Sequence, residues 1–121
     1  MIRETLLLIA LSATGMVAGV EAAQPVPERF QGEWNTQLQD CSSSLNDSRL
    51  EIGVDRIAFH ESSGPILAVI PRGEQEVALV MELSGEGETW LSFKHYRLSD
   101  DRTQLIDITD GGEFARQRCS Q

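Results

Sequence analysis

Positive charge is what this sequence has least of. Ten lysines and arginines stand against 19 aspartates and glutamates in 121 residues, a formal charge of −9. A chain this acidic repels phosphate backbones, and no basic stripe interleaved with aromatics offsets that. Nucleic acid is therefore excluded as a partner class, and an anionic membrane surface with it. Histidine is scarce, with only His60 and His95, and the two cysteines, Cys41 and Cys119, lie far apart. Such a set is too sparse for a metal centre, so no metal and no other cofactor is expected. Gly85-Glu86-Gly87-Glu88 is glycine-rich but lacks the Lys-Ser/Thr and helix of a phosphate loop, and its carboxylates repel phosphate. After residue 23 no apolar run is long enough for a membrane helix, no internal repeat is visible and no segment has helical periodicity.

The one long apolar stretch is at the amino terminus. Arg3 precedes Leu6-Leu7-Leu8-Ile9-Ala10-Leu11, the run continues through Met16 to Val20, and Val20-Glu21-Ala22 offers a cleavage site. Residues 1–23 thus read as a cleaved signal peptide, which makes the protein exported, periplasmic or secreted, and free of the membrane after cleavage. In that compartment an even pair of cysteines implies a disulfide between Cys41 and Cys119. Residues 24–29, with Pro25 and Pro27, read as an extended linker, in which Pro27-Glu28-Arg29 can form a single turn.

Residues 30–121 read as one all-β domain. Short apolar or alternating runs are separated by turn residues at the spacing of a barrel or sandwich. Strands are predicted over 30–39, 48–53, 55–61, 65–71, 75–84, 88–98, 103–109 and 113–119. Short turns such as Gly85-Glu86-Gly87 and Asp110-Gly111-Gly112 make consecutive strands antiparallel neighbours. A Cys41–Cys119 bridge would staple the first strand to the last. The expected architecture is a closed antiparallel eight-stranded meander barrel, with a β-sandwich as the alternative.

Alternation assigns the faces. Val77, Leu79, Met81 and Leu83 share one side of their strand against Glu76 and Glu82. The inward set on this reading is Trp34, Leu50, Ile52, Ile57, Phe59, Ile66, Ile70, Leu79, Met81, Phe93 and Phe114. Strand 65–71 is apolar on both faces, so part of it is covered or makes a contact. In strand 88–98, Leu91 and Phe93 are one step out of phase with Tyr96 and Leu98, which a β-bulge near Lys94-His95 would reconcile.

Phe30-Gln31-Gly32-Glu33-Trp34, after its proline-containing approach, resembles the first strand of small lipocalin-like, or calycin-like, barrels. The family's G-x-W motif matches Gly32 and Trp34. The resemblance implies that Trp34 plugs one barrel end and that an arginine of the last strand, Arg116 or Arg118, lies across it. The chain is shorter than lipocalins that hold large ligands, so a filled interior is expected.

Enzyme signals are poor, and no catalytic residue is expected. His60-Glu61-Ser62 has the residue types of a triad, but neighbours on a strand point to opposite faces. Asp107, Asp110 and Glu113 lack the ligand spacing of a calcium loop. His95 has no evident nucleophile beside it. The leading expectation is an exported, non-enzymatic interaction module, such as an inhibitor of an exported enzyme, that contacts a protein partner through Trp90, Glu86 and Glu88. The alternative is a lipocalin-like carrier of a small apolar ligand, with Leu79, Met81 and Phe93 lining the pocket. No oligomeric state is implied.

Overall fold

The computed structural model describes residues 24–120; the leader read at 1–23 lies outside them. Eight strands run β1 Gly32–Asn35, β2 Leu50–Ile52, β3 Arg56–Phe59, β4 Ser63–Arg72, β5 Glu76–Gly85, β6 Glu88–Leu98, β7 Gln104–Asp107 and β8 Phe114–Arg118. They pair in chain order and close into an antiparallel barrel, as the turn spacing predicts. Closure is made where β1 meets β8, with Trp34 opposite Arg118 and Asn35 opposite Gln117. Barrel closure leaves none of the eight strands as an edge.

The β5–β6 hairpin shows how local sequence sets the register. Its loop is the pair Glu86-Gly87, both with positive φ (48° and 81°), the backbone of a tight hairpin turn. That turn fixes an unbroken ladder from Gly85 opposite Glu88 to Glu76 opposite Arg97. The alternating residues of β5 accordingly point inward as read, with Val77, Leu79 and Met81 at 0% exposure. Gly64 of β4 is needed for another reason: a Cβ there would sit inside van der Waals contact with the Glu82 carbonyl, so β4 and β5 approach this closely only with glycine.

The ladder corrects the reading of β6. It contains no bulge at Lys94-His95; the register shift lies in β4, between Ile66 and Ala68. The inward phase of β6 is Trp90, Ser92, Lys94, Tyr96 and Leu98, each opposite an inward residue of β5 or near the barrel rim. Leu91 and Phe93, expected inside, face out at 67% and 49% exposure, and Ile70 of β4 does likewise at 47%. With Leu67 they make the outer wall of β4–β6 apolar, which answers to the two apolar faces of that sequence. Among the described residues nothing covers this wall.

The first strand is shorter than predicted. Phe30 belongs to a single 3-10 turn, Glu28–Phe30, and after Asn35 the chain leaves the sheet for a long loop with a second such turn at Leu38–Asp40. The segment read as a linker is docked: Val26 is buried and its N–H donates to the Val54 carbonyl at 2.9 Å. The disulfide is formed as expected between Cys41 and Cys119, with their Cα atoms 5.7 Å apart. No helix of the described residues is long and apolar enough to cross a membrane.

Candidate functional site

The two ends of the barrel differ. At the end where β1 starts, Val26, Phe30 and Trp34 are fully buried. The Trp34 indole N–H donates to the Phe30 carbonyl at 3.1 Å, and the Arg118 guanidinium lies 4.2 Å over the indole ring. Arg118 also donates to the carbonyls of Arg29, Gln31 and Arg102, joining the leading segment to the β6–β7 loop. Of the two arginines considered for this position, Arg118 takes it. Alternate strand residues share a face, so Arg116 also points inward but one step toward the opposite end.

The opposite end, the mouth, is less fully covered. Its rim carries large rings that stay partly wet: Phe114 at 47% and Trp90 at 41% exposure, with Phe59 half-buried between core and rim. Phe114 was expected within the barrel and is on the inward phase, but it stands at this rim. Beneath the rings are charges. Lys94 Nζ lies 3.3 Å from Asp107 Oδ2 and 5.8 Å over the Phe59 ring. Arg116 stacks on Phe114 at 4.9 Å and donates from Nε to the Ser48 carbonyl at 2.7 Å. Deepest is Tyr96, at 0% exposure and directly opposite Asp107 on the β6–β7 ladder. Leu98 and Leu105, both fully buried, form the apolar floor below it.

The electrostatics follow from half-burial. Burial pushes the Asp107 carboxyl up, but hydrogen bonds from the Thr109 hydroxyl and N–H, and then Lys94, outweigh it and hold the group below its ordinary value. Burial lowers the proton affinity of Arg116, while Tyr96 and Asp107 act to raise it. Burial drives the Tyr96 phenol well above its ordinary range, so it remains an O–H donor throughout the physiological range.

Asp107 and Glu33 make stability depend on acid. Burial raises Glu33 as well, but the Ser42 N–H, the Asn35 amide and Arg49 together leave it below its ordinary value. A carboxylate whose folded value is depressed contributes stability above its unfolded value and loses it as pH falls through the folded one. The melting temperature is therefore expected to hold above the ordinary values of 4.5 for Glu33 and 3.8 for Asp107 and to decline below them. Asp107→Asn should flatten that decline in a series of thermal melts against pH. A decline identical to that of the unsubstituted protein would refute the assignment of Asp107.

The structure distributes the other expected site residues unevenly. Trp90, Glu86 and Glu88 do come together, with Glu61, Ser62 and Gly85, around a concavity of about 380 Å³ on the rim. Leu79 and Met81 are fully buried in the core of the barrel, whereas Phe93 is on the outer wall and cannot line a pocket with them. His60 lies 3.6 Å from Asp47, and His95 bonds Glu76 at 2.8 Å on the outer face. Asp110 and Glu113 line a small hollow of about 170 Å³ with Asp107 and Phe114, and Glu113 is paired with Arg97. A larger groove of about 470 Å³ runs on the outer side of β1–β4, where Glu33 and Glu51 are already engaged by Arg49. Glu33, Cys41 and Cys119 hold one carboxylate and two sulfurs close together, but the sulfurs are bonded to each other and are not thiolate ligands.

The grouping of Lys94, Tyr96, Asp107 and Arg116 was not anticipated. Counting back from Tyr96 and Leu98 in steps of two reaches Lys94, Ser92 and Trp90, and that phase would have exposed it.

Fold and mouth together define a small closed β-barrel consistent with the calycin or lipocalin-like fold and with a non-catalytic binding module. Compared with protein-family models, curated proteins and solved structures, the chain matches none.

Proposed function

We propose that the protein is an exported, non-catalytic binding module of lipocalin-like design that takes a small amphipathic ligand at the barrel mouth. The observation that carries this reading is the contrast between the ends. One is sealed by Trp34, Phe30 and Arg118, while the other presents half-exposed rings above partly buried charges. Ligand sites combine apolar walls with a few placed polar groups in this way. The ligand belongs in the mouth rather than among Leu79 and Met81, which are fully buried in the hydrophobic core. Export is supported by the leader pattern and by the disulfide, which persists in oxidising compartments.

Fluorescence titration with 1-anilinonaphthalene-8-sulfonate and with its uncharged parent, N-phenyl-1-naphthylamine, tests the site. At least one probe should bind. Ser92→Trp, which places a large ring on the inward phase below Trp90, should weaken binding at least tenfold. Val80→Trp, on the outer wall, should not. No binding by either probe, or binding indifferent to Ser92→Trp, would refute the reading.

A second reading, a protein partner, is favoured by the rim concavity, where Trp90 stands with Glu61, Glu86 and Glu88. Three carboxylates beside an aromatic face suit a basic side chain of a partner. In that case Trp90→Ala would abolish a complex with a basic exported protein, whereas Ser92→Trp would have less effect.

A further inference from the structure

Below the rim the mouth holds donors that no described acceptor receives. The acceptors are committed: Asp107 takes Lys94 on Oδ2 and both the Thr109 N–H and hydroxyl on Oδ1. The donors are not. Tyr96 Oη, with less than 1 Å² exposed, has no hydrogen-bond partner among the described residues. Arg116 spends only Nε, on the Ser48 carbonyl, and its two Nη groups make no bond to the described residues. Below the rim two cations, Lys94 and Arg116, face the single carboxylate of Asp107, while the rim itself carries Asp110, Glu61, Glu86 and Glu88, with Glu113 paired to Arg97.

Native proteins leave few buried polar atoms unpaired, and each one calls for an explanation. A phenol kept at full burial beside a guanidinium with free Nη donors, in place of an isosteric phenylalanine, has one in ligand recognition. We propose that the mouth ligand is an amphipathic organic acid. Its anionic group, a carboxylate or sulfonate, is received by Arg116 Nη and Tyr96 Oη with Lys94 adding charge, and its apolar body lies against Phe59, Trp90 and Phe114. This rests on the mouth being a ligand site, as proposed above. The order of inward residues along β6 fits such a guest: a ring at Trp90, a small gap at Ser92, a cation at Lys94, then the phenol at Tyr96. Arg–carboxylate and Arg–sulfonate contacts in a half-buried setting are charge-assisted and short, which is the role free Nη groups suit.

The same two probes separate this inference from the reading beneath it, because they share one ring system and differ by the sulfonate. The sulfonate probe is expected to bind at least tenfold more tightly than the neutral one at low ionic strength. Arg116→Met and Tyr96→Phe should each weaken the sulfonate probe far more than the neutral one and so remove most of that preference. Tyr96→Phe should also keep or raise the melting temperature, since it deletes a hydroxyl that bonds no described group. Equal affinity for both probes would overturn the acid assignment and leave the mouth as a site for neutral ligands. Binding by neither would overturn both. A Tyr96→Phe protein that melts lower but keeps the sulfonate preference would show the hydroxyl to be structural, and would overturn its assigned role.

Discussion

Trp34→Ala is expected to destabilise the domain by about 3–5 kcal/mol, the range for truncating a fully buried large aromatic. For a domain of this size that corresponds to a fall in melting temperature of roughly 15–30 °C. Three contributions disappear together. The indole fills the sealed end at 0% exposure, its N–H holds the Phe30 carbonyl at 3.1 Å, and its face receives Arg118 at 4.2 Å. Arg118 is the fastener for that end, because its bonds reach Arg29, Gln31 and Arg102, which belong to segments that do not otherwise continue one another. Arg118→Met should therefore cost about 1–3 kcal/mol, through carbonyls left without a donor as much as through the lost cation–π contact. Thermal melts of both variants and of the double variant give the coupling. If Trp34→Ala melts within a few degrees of the unsubstituted protein, the sealed end is not where this fold's stability resides.

How far the fold was legible depended on where the ordinary sign of burial holds. Along β5, the larger apolar residues from Val77 to Leu83 alternate with Ala78, Val80 and Glu82 between flanking Glu76 and Ser84, the inside is apolar, and the face assignment from sequence is the observed one. The Glu86-Gly87 turn was equally readable, since glycine at positive φ in a two-residue connection specifies a hairpin. In the half of β6 nearest the mouth the sign reverses. Its inward residues include Ser92 and Lys94, and its outward ones are Leu91 and Phe93. Hydrophobicity alone selects the wrong phase there, and repairing the mismatch with Tyr96 required a bulge that this strand does not have. The true irregularity, in β4 at Leu67, falls in a run apolar on both faces, where alternation carries no phase information.

The candidate site was obscured by the same cause. Arg116, Asp107 and Lys94 were each conspicuous, but as a possible partner of Trp34, a possible calcium ligand and a bulge position. What assembles them is a register that brings Tyr96 opposite Asp107, Asp107 opposite Phe114, and Leu105 opposite Arg116. Register across three strands depends on turns of several residues, and the connections 99–103 and 108–113 are long enough to permit more than one. The sealed end needed less information: a single motif with Gly32 and Trp34 pointed to it, and only the choice between Arg116 and Arg118 was left to depth along β8.

Removing the disulfide by the pair Cys41→Ala and Cys119→Ala is expected to cost up to about 4.5 kcal/mol, the chain-entropy value for a loop of this length. The residues bridged are 78 apart in sequence, so the link confines nearly the whole barrel in the unfolded state. In the folded state it acts beside the β1–β8 seam, the pairing that closes the barrel and the one with the greatest sequence separation. Asn35 shows how closely the two are joined: it is fully buried, donates to Glu33 at 2.9 Å and to Cys119 Sγ at 3.1 Å, and accepts from Asn46. The loop held by the bridge also carries Ser48, whose carbonyl positions Arg116 at the mouth. Two readouts should therefore change together in the cysteine-free protein. The urea midpoint should fall by more than about 1 M, given a dependence of roughly 1–3 kcal/mol per molar for small domains. Hydrogen exchange should also quicken across residues 36–48 while β5 and the lower half of β6 keep their relative protection. A midpoint unchanged within error would mean that the seam closes without its staple, and that the Trp34–Arg118 end alone holds the first strand to the last.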